Sequence, residues 1–79
     1  MDKDVLKNWI IEALQSKGGQ STLLEICKYV WIHHEVDLKK SGNLFYTWQY
    51  DIRWAATELR KVDKLLPADQ SPRGVWILQ

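Results

Sequence analysis

Between Trp48 and Leu78 the apolar residues change period, and that change limits the fold more than any other feature of the chain. Trp48, Ile52, Ala55, Leu59 and Val62 recur at spacings of four, three, four and three, one face of a helix. Lys64-Leu65-Leu66 then reads as a short strand, which Pro67 confines to an edge or an ending because it lacks a backbone N–H. Asp69-Gln70-Ser71-Pro72-Arg73-Gly74 is dense in turn formers. Val75-Trp76-Ile77-Leu78 is a β-branched and aromatic run of the kind that forms strands. A helix feeding a β-hairpin therefore closes the chain.

Seventy-nine residues make one domain, 1–79. A chain of this size hides only about 60% of the surface its unfolded form exposes, so its core must be rich in large side chains. Five Trp and three Tyr supply them, each able to bury roughly 150–250 Å². Cys27 is the single cysteine, which excludes an intramolecular disulfide, and no Cys/His pattern offers structural zinc. Side-chain packing, helped by dimerisation if a second copy binds, must hold the fold. No cofactor is expected. The charged start Asp2-Lys3-Asp4 has no signal-like apolar run behind it, and no stretch approaches the ~20 apolar residues of a membrane span. These features suggest a reduced cytoplasmic setting with no membrane partner.

Upstream, Val5, Leu6, Trp9, Ile10, Ala13 and Leu14 recur at helical spacing, so a first helix is predicted from about Asp4 to Lys17, stopped by Gly18-Gly19. A second helix begins at about Thr22, where Thr22 and Glu25 have capping-box spacing. Its apolar stripe is Leu23, Ile26, Cys27, Val30 and Trp31. The pattern fades after His33-His34-Glu35, and 36–44 reads as a loop carrying Lys39-Lys40 and Ser41-Gly42-Asn43. The third helix then runs from Phe45 or Tyr46 to Val62, with Tyr46, Tyr50, Arg53, Thr57 and Lys61 on the face opposite its apolar stripe. The expected class is α+β, mainly helical: three helices followed by a two-stranded β-hairpin.

Ile52-Arg53-Trp54-Ala55-Ala56-Thr57-Glu58-Leu59, then Lys64-Leu65-Leu66, then Arg73-Gly74-Val75-Trp76-Ile77-Leu78 resemble the N-terminal winged-helix domain of Mrr-type restriction endonucleases. The likeness covers about residues 44–79, and upstream it rests on helix order and a long loop before the third helix. It implies a winged helix-turn-helix with the hairpin as wing, and duplex DNA as partner. Val62-Asp63-Lys64 departs from the Ala-Gly turn usual in such domains. No nuclease domain accompanies the likeness, so it implies nothing about cleavage.

In that mode the third helix enters the major groove and its outer face reaches base edges. Tyr46, Gln49, Tyr50, Arg53 and Thr57 are the candidates, with Arg53 suited to bidentate pairing with guanine. Lys39, Lys40 and Lys61 would contact phosphates, which position without specifying. Arg73 at the hairpin tip would enter the minor groove or grip backbone. Against this, Lys39 and Lys40 are ordinary loop charges on a plainer reading, the tyrosines could cover core edges, and Arg73 could pair with Asp69. Trp54 lies off the inner stripe and is expected to pack against Val75 or Trp76, or else to sit in an interface.

Net charge is only +1, but it is unevenly spread. Up to Leu38 four lysines face six acids, net −2, and from Lys39 seven basic residues face four acids, net +3. A basic half beside an acidic one fits a nucleic-acid-binding face. The alternative is a protein-interaction or dimerisation module that uses an aromatic face of Tyr46, Tyr50 and Trp54, since aromatic and Arg side chains anchor interfaces. Catalytic patterns are weak. His33-His34-Glu35 lacks the His-Glu-x-x-His spacing and reads as a polar helix end. Asp37-Leu38-Lys39 has the acid-x-Lys spacing of metal-dependent nucleases without a second identifiable acid. Cys27 on an apolar stripe reads as a small buried hydrophobe, and Ser21 and Thr22 have no general base. No enzyme activity is expected.

Overall fold

The computed structural model describes residues 2–79. Three helices and two short strands follow the order α1 (Val5–Ser16), β1 (Gln20–Thr22), α2 (Leu23–Lys39), α3 (Leu44–Lys61) and β2 (Val75–Ile77), with a 3₁₀ turn at Ala68–Gln70 before β2. The molecule is a small α+β domain.

The helix α1 presents Leu6, Trp9, Ile10, Ala13 and Leu14 to the core, the face its sequence spacing marks out. It ends because Gly18 and Gly19 both adopt positive φ, 78° and 102°, a backbone that side chains resist. The Gly19 N–H then donates to the Leu14 carbonyl at 2.8 Å, satisfying a helix-end acceptor. This reversal throws Gln20–Thr22 straight into an extended strand.

Here the structure adds to the sequence reading, which assigns no strand at Gln20–Thr22. β1 pairs antiparallel with β2 in the register Gln20↔Ile77, Ser21↔Trp76 and Thr22↔Val75. The hairpin strand expected at Lys64–Leu66 contracts to one bridge, Leu65↔Leu78. It is framed by hydrogen bonds from Leu66 N–H to the Ile77 carbonyl and from Gln79 N–H to the Lys64 carbonyl. Pro67 offers no further donor, so the ladder stops there. The C-terminal segment thus lies between two partners, one from each half of the chain.

Thr22 closes β1 and caps α2, its Oγ1 accepting from the Glu25 N–H at 3.2 Å. The reciprocal half of the capping box does not form. The Glu25 carboxylate turns instead to Lys17 at 3.9 Å and Lys28 at 3.6 Å. α2 also runs beyond His33-His34-Glu35, through Lys39, so residues 36–39 of the expected loop are helix. The periodicity breaks at His34 because the backbone leaves helical values there (φ −129°, ψ 18°). A new phase begins, and Leu38 enters the core.

That kink is held from α1. His34 stacks on Trp9 with ring centroids 4.2 Å apart and planes 13° from parallel. Its Nε2 meets Glu12 Oε2 at 2.7 Å, while Nδ1 lies 3.8 Å from Asp37. The histidine pair is therefore a mid-helix brace and not a polar helix end, with His33 packed against Tyr29.

α3 buries Leu44, Trp48, Ile52, Ala55, Ala56 and Leu59. Val62, expected on this face, caps the helix and stays 62% exposed. Asp63 then takes φ 60°, the left-handed conformation that a glycine would supply in an Ala-Gly exit. Its successor's N–H returns to the Leu59 carbonyl at 2.8 Å, so the departure at Val62-Asp63-Lys64 preserves the helix stop. Trp54 does not pack under Val75 or Trp76. It faces α1, with Lys3 Nζ 4.2 Å and Lys7 Nζ 5.1 Å from its ring centroid.

Two stability predictions follow from these junctions. Asp63→Val lowers unfolding free energy by about 1–2 kcal/mol, because β-branched residues are strained at this φ, whereas Asp63→Gly holds or raises it; urea titration reads both. The hydrogen bond from His34 holds the Glu12 carboxyl below its usual range. Its contribution is therefore present in full above the unfolded carboxylate value of about 4.3 and is lost as pH falls through the lower folded value. Glu12→Gln should melt below wild type at pH 6, with the gap narrowing as pH falls below about 4.

Candidate nucleic-acid interface

On an ideal helix of 3.6 residues per turn, Gln49, Arg60, Arg53, Tyr46, Thr57, Tyr50 and Lys61 fall in that angular order within an arc of roughly 120°. Neither acid of α3 lies in this arc. Asp51 and Glu58 sit on the flank beyond Lys61, where Asp51 accepts from Thr47 Oγ1 at 2.7 Å and Glu58 holds Lys61 at 2.9 Å. The outer face of α3 is consequently free of negative charge over most of its width.

The aromatic members of the arc are open to solvent, Tyr46 at 83% and Tyr50 at 80%. Neither covers a core edge. Tyr46 leans edge-on against Phe45 at 5.1 Å, which steadies its ring without burying it. Arg53, Thr57 and Gln49 are exposed beside them, and the Thr57 hydroxyl is partly used by donating to the Arg53 carbonyl at 3.2 Å. Trp54 is half-buried beneath Lys3 and Lys7, so the aromatic surface is narrower than the sequence suggests.

The other candidates separate. Lys39 ends α2 and pairs with Glu35 at 3.8 Å, and Lys40 caps that helix. Both lie at a helix terminus, not in a loop. Arg73 is exposed in the turn before β2, where Gly74 takes φ 76°. It shares a cleft of about 500 Å³ with Arg53 and Thr57, so helix and turn form one continuous surface. No ion pair joins Arg73 to Asp69 among the described residues.

Arg60 is the residue that sequence reasoning passes over, although it lines the same cleft. Its spacing of seven from Arg53 is two helical turns and could have exposed it. Its Nε donates to the Leu66 carbonyl at 3.1 Å.

Other chemistry has less behind it. Burial pushes the Cys27 thiol up, against an opposing effect of the Arg53 charge. Among the described residues no group of three or more His, Cys, Asp or Glu is placed to hold a metal, and no helix is long and apolar enough to cross a membrane. A shallow hollow of about 340 Å³ between α2 and α3 is lined by Leu24, Cys27, Lys28, Trp31, Trp48 and Gln49. Trp31, read as part of the core stripe, lies at its rim and stacks on Trp48 with centroids 6.3 Å apart.

No family model, curated protein or solved structure matches the chain.

The two faces of α3 differ in what they contribute to stability. Tyr46→Ala and Tyr50→Ala should change unfolding free energy by no more than about 0.5 kcal/mol. Trp48→Ala, two residues from each, should cost about 3–5 kcal/mol. Equilibrium urea unfolding checks the contrast, and a large cost at either tyrosine would mean that its exposed position in α3 is mistaken.

Proposed function

We propose that this domain is a winged helix-turn-helix that binds duplex DNA, with α3 in the major groove and the Pro72–Gly74 turn on the adjoining backbone. The observation carrying this reading is the acid-free arc of α3, where Arg53 and the exposed Tyr46 and Tyr50 adjoin Arg73 across one cleft. An α-helix fits a groove about 12 Å wide, and guanidinium pairs bidentately with guanine O6 and N7. The likeness of residues 44–79 to the winged-helix domain of Mrr-type restriction endonucleases supports the same partner. In this reading Arg53, Gln49 and the tyrosines reach base edges. Lys39, Lys40, Lys61 and Arg73 set the register on phosphates.

A net charge of +1 makes the local field decisive, since there is little overall attraction to a polyanion. Binding should therefore weaken steeply with salt, by a slope of about −0.9 for each phosphate neutralised. Fluorescence anisotropy with labelled duplex from 50 to 200 mM salt measures it. Arg53→Ala should cost about 1–3 kcal/mol on the preferred duplex and less on others. Absence of any salt-dependent duplex binding by the wild-type domain would overturn the proposal.

One observation favours a second reading, a protein-docking module or homodimer. Leu24 at 62% exposed borders the apolar hollow whose far wall includes Gln49, so apolar surface runs beside the tyrosines. Light scattering separates the two: a dimer dispersed by Tyr50→Glu, without duplex retardation, would support the second reading against the first.

A further inference from the structure

The chain has three arginines, Arg53, Arg60 and Arg73, and all three line the one cleft of about 500 Å³ between α3 and the turn before β2. They come from places far apart in sequence, so the convergence is a product of folding. Leu23, Ala56 and Trp76 supply apolar wall between them. Guanidinium groups along one cleft repel one another, and the partly buried Arg60 is also less hydrated, both of which an anion relieves.

No acid answers them. The ion pairs among the described residues use Lys7, Lys17, Lys28, Lys39, Lys61 and His34, and none uses an arginine. Asp69 lines the neighbouring hollow with Arg60 and Arg73 but forms no pair with either. Five of the eight lysines thus have an acidic partner where they stand, while no arginine is paired with a carboxylate among the described residues.

Arg60 is also held in position. Its partly buried Nε is spent on the Leu66 carbonyl at 3.1 Å, and Leu66 is itself bonded to Ile77 in the terminal pairing. Its two terminal amino groups remain, a planar fork fixed by the sheet. Such forks match the unesterified oxygens of a phosphoryl group, and their pre-organisation reduces the ordering needed on binding.

We infer that this cleft seats a phosphoryl group of the DNA backbone, with Arg60 as its fixed ligand and Arg73 at its margin, while Arg53 borders it on the side toward the bases. The inference rests on the duplex reading for the source of the phosphoryl group, because the cleft opens beside the acid-free arc of α3. A backbone grip differs from base reading in being blind to sequence.

Arg60→Gln tests it against two unrelated duplexes of equal length. The expected result is the same loss on both, about tenfold, with the salt slope shallower by about 0.9. Arg60→Lys, which keeps the charge but not the fork, should retain the slope and recover only part of the affinity. Thermal melts of both variants, run without DNA, identify any loss due to unfolding. Calorimetry with inorganic pyrophosphate is the second arm. Wild-type binding to duplex with affinity and slope unchanged in Arg60→Gln would overturn the cleft while leaving the duplex reading intact. Pyrophosphate binding sensitive to Arg60, with no duplex binding, would overturn the backbone source and the duplex reading together, leaving a free-phosphate site.

Discussion

The fold depends on the strand Val75–Ile77. Among the described residues, it and the adjoining Leu78 form the one segment bonded on both sides, to Gln20–Thr22 from the first half of the chain and, through the Leu65↔Leu78 bridge, to the exit from α3. Trp76 at its centre is buried and fills the space where the sheet meets the helices. In a domain too small for a large core, a central strand that joins both ends does the work that a disulfide does elsewhere. The surrounding turns serve this placement. Gly18-Gly19 reverses the chain into β1, and Asp63 reverses it out of α3.

The candidate surface depends on the same strand. Arg73 stands at its entrance, and the Leu23 N–H reaches the Gly74 carbonyl at 3.4 Å, tying the turn to the start of α2. The Leu66 carbonyl that fixes Arg60 belongs to the neighbouring bridge. Structural and functional residues therefore alternate along a few positions. Val75 and Trp76 hold the sheet, while Arg73 before them meets Arg53 and Arg60 of α3 across the cleft.

Long amphipathic segments were legible in the sequence because their signal accumulates over several turns. α1 and the core face of α3 follow directly from apolar spacing, and the open face of α3 is simply its complement. What was not legible comes from shorter or out-of-phase features. Three residues, Gln20–Thr22, cannot display a period of two convincingly. α2 past His34 escapes periodicity because the kink resets the helical phase, and only the tertiary stack on Trp9 shows why it bends there. Trp54 misleads for a similar reason: its wheel position excludes the central core but cannot choose between the flank facing α1 and the flank facing β2. Arg60 goes unremarked in the sequence, although its two-turn spacing from Arg53 places it on the same side of α3.

Net charge misleads in the same manner. The division at Leu38 into an acidic and a basic half suggests that all later basic residues contribute to one face, yet Lys39 and Lys61 close on Glu35 and Glu58 within a turn of themselves. Lysine, with a flexible stem and a point charge, readily finds such local partners on helices. Arg53 has no carboxylate three or four positions away, Asp63 and Asp69 form no pair with Arg60 or Arg73, and the fold carries all three arginines to a shared cleft. A near-neutral chain can in this way hold a concentrated positive site, because the local pairs cancel most of the charge everywhere else. The distribution that matters is the one left after those pairs are removed, and it contains the three arginines with Lys3, Lys40 and Lys64.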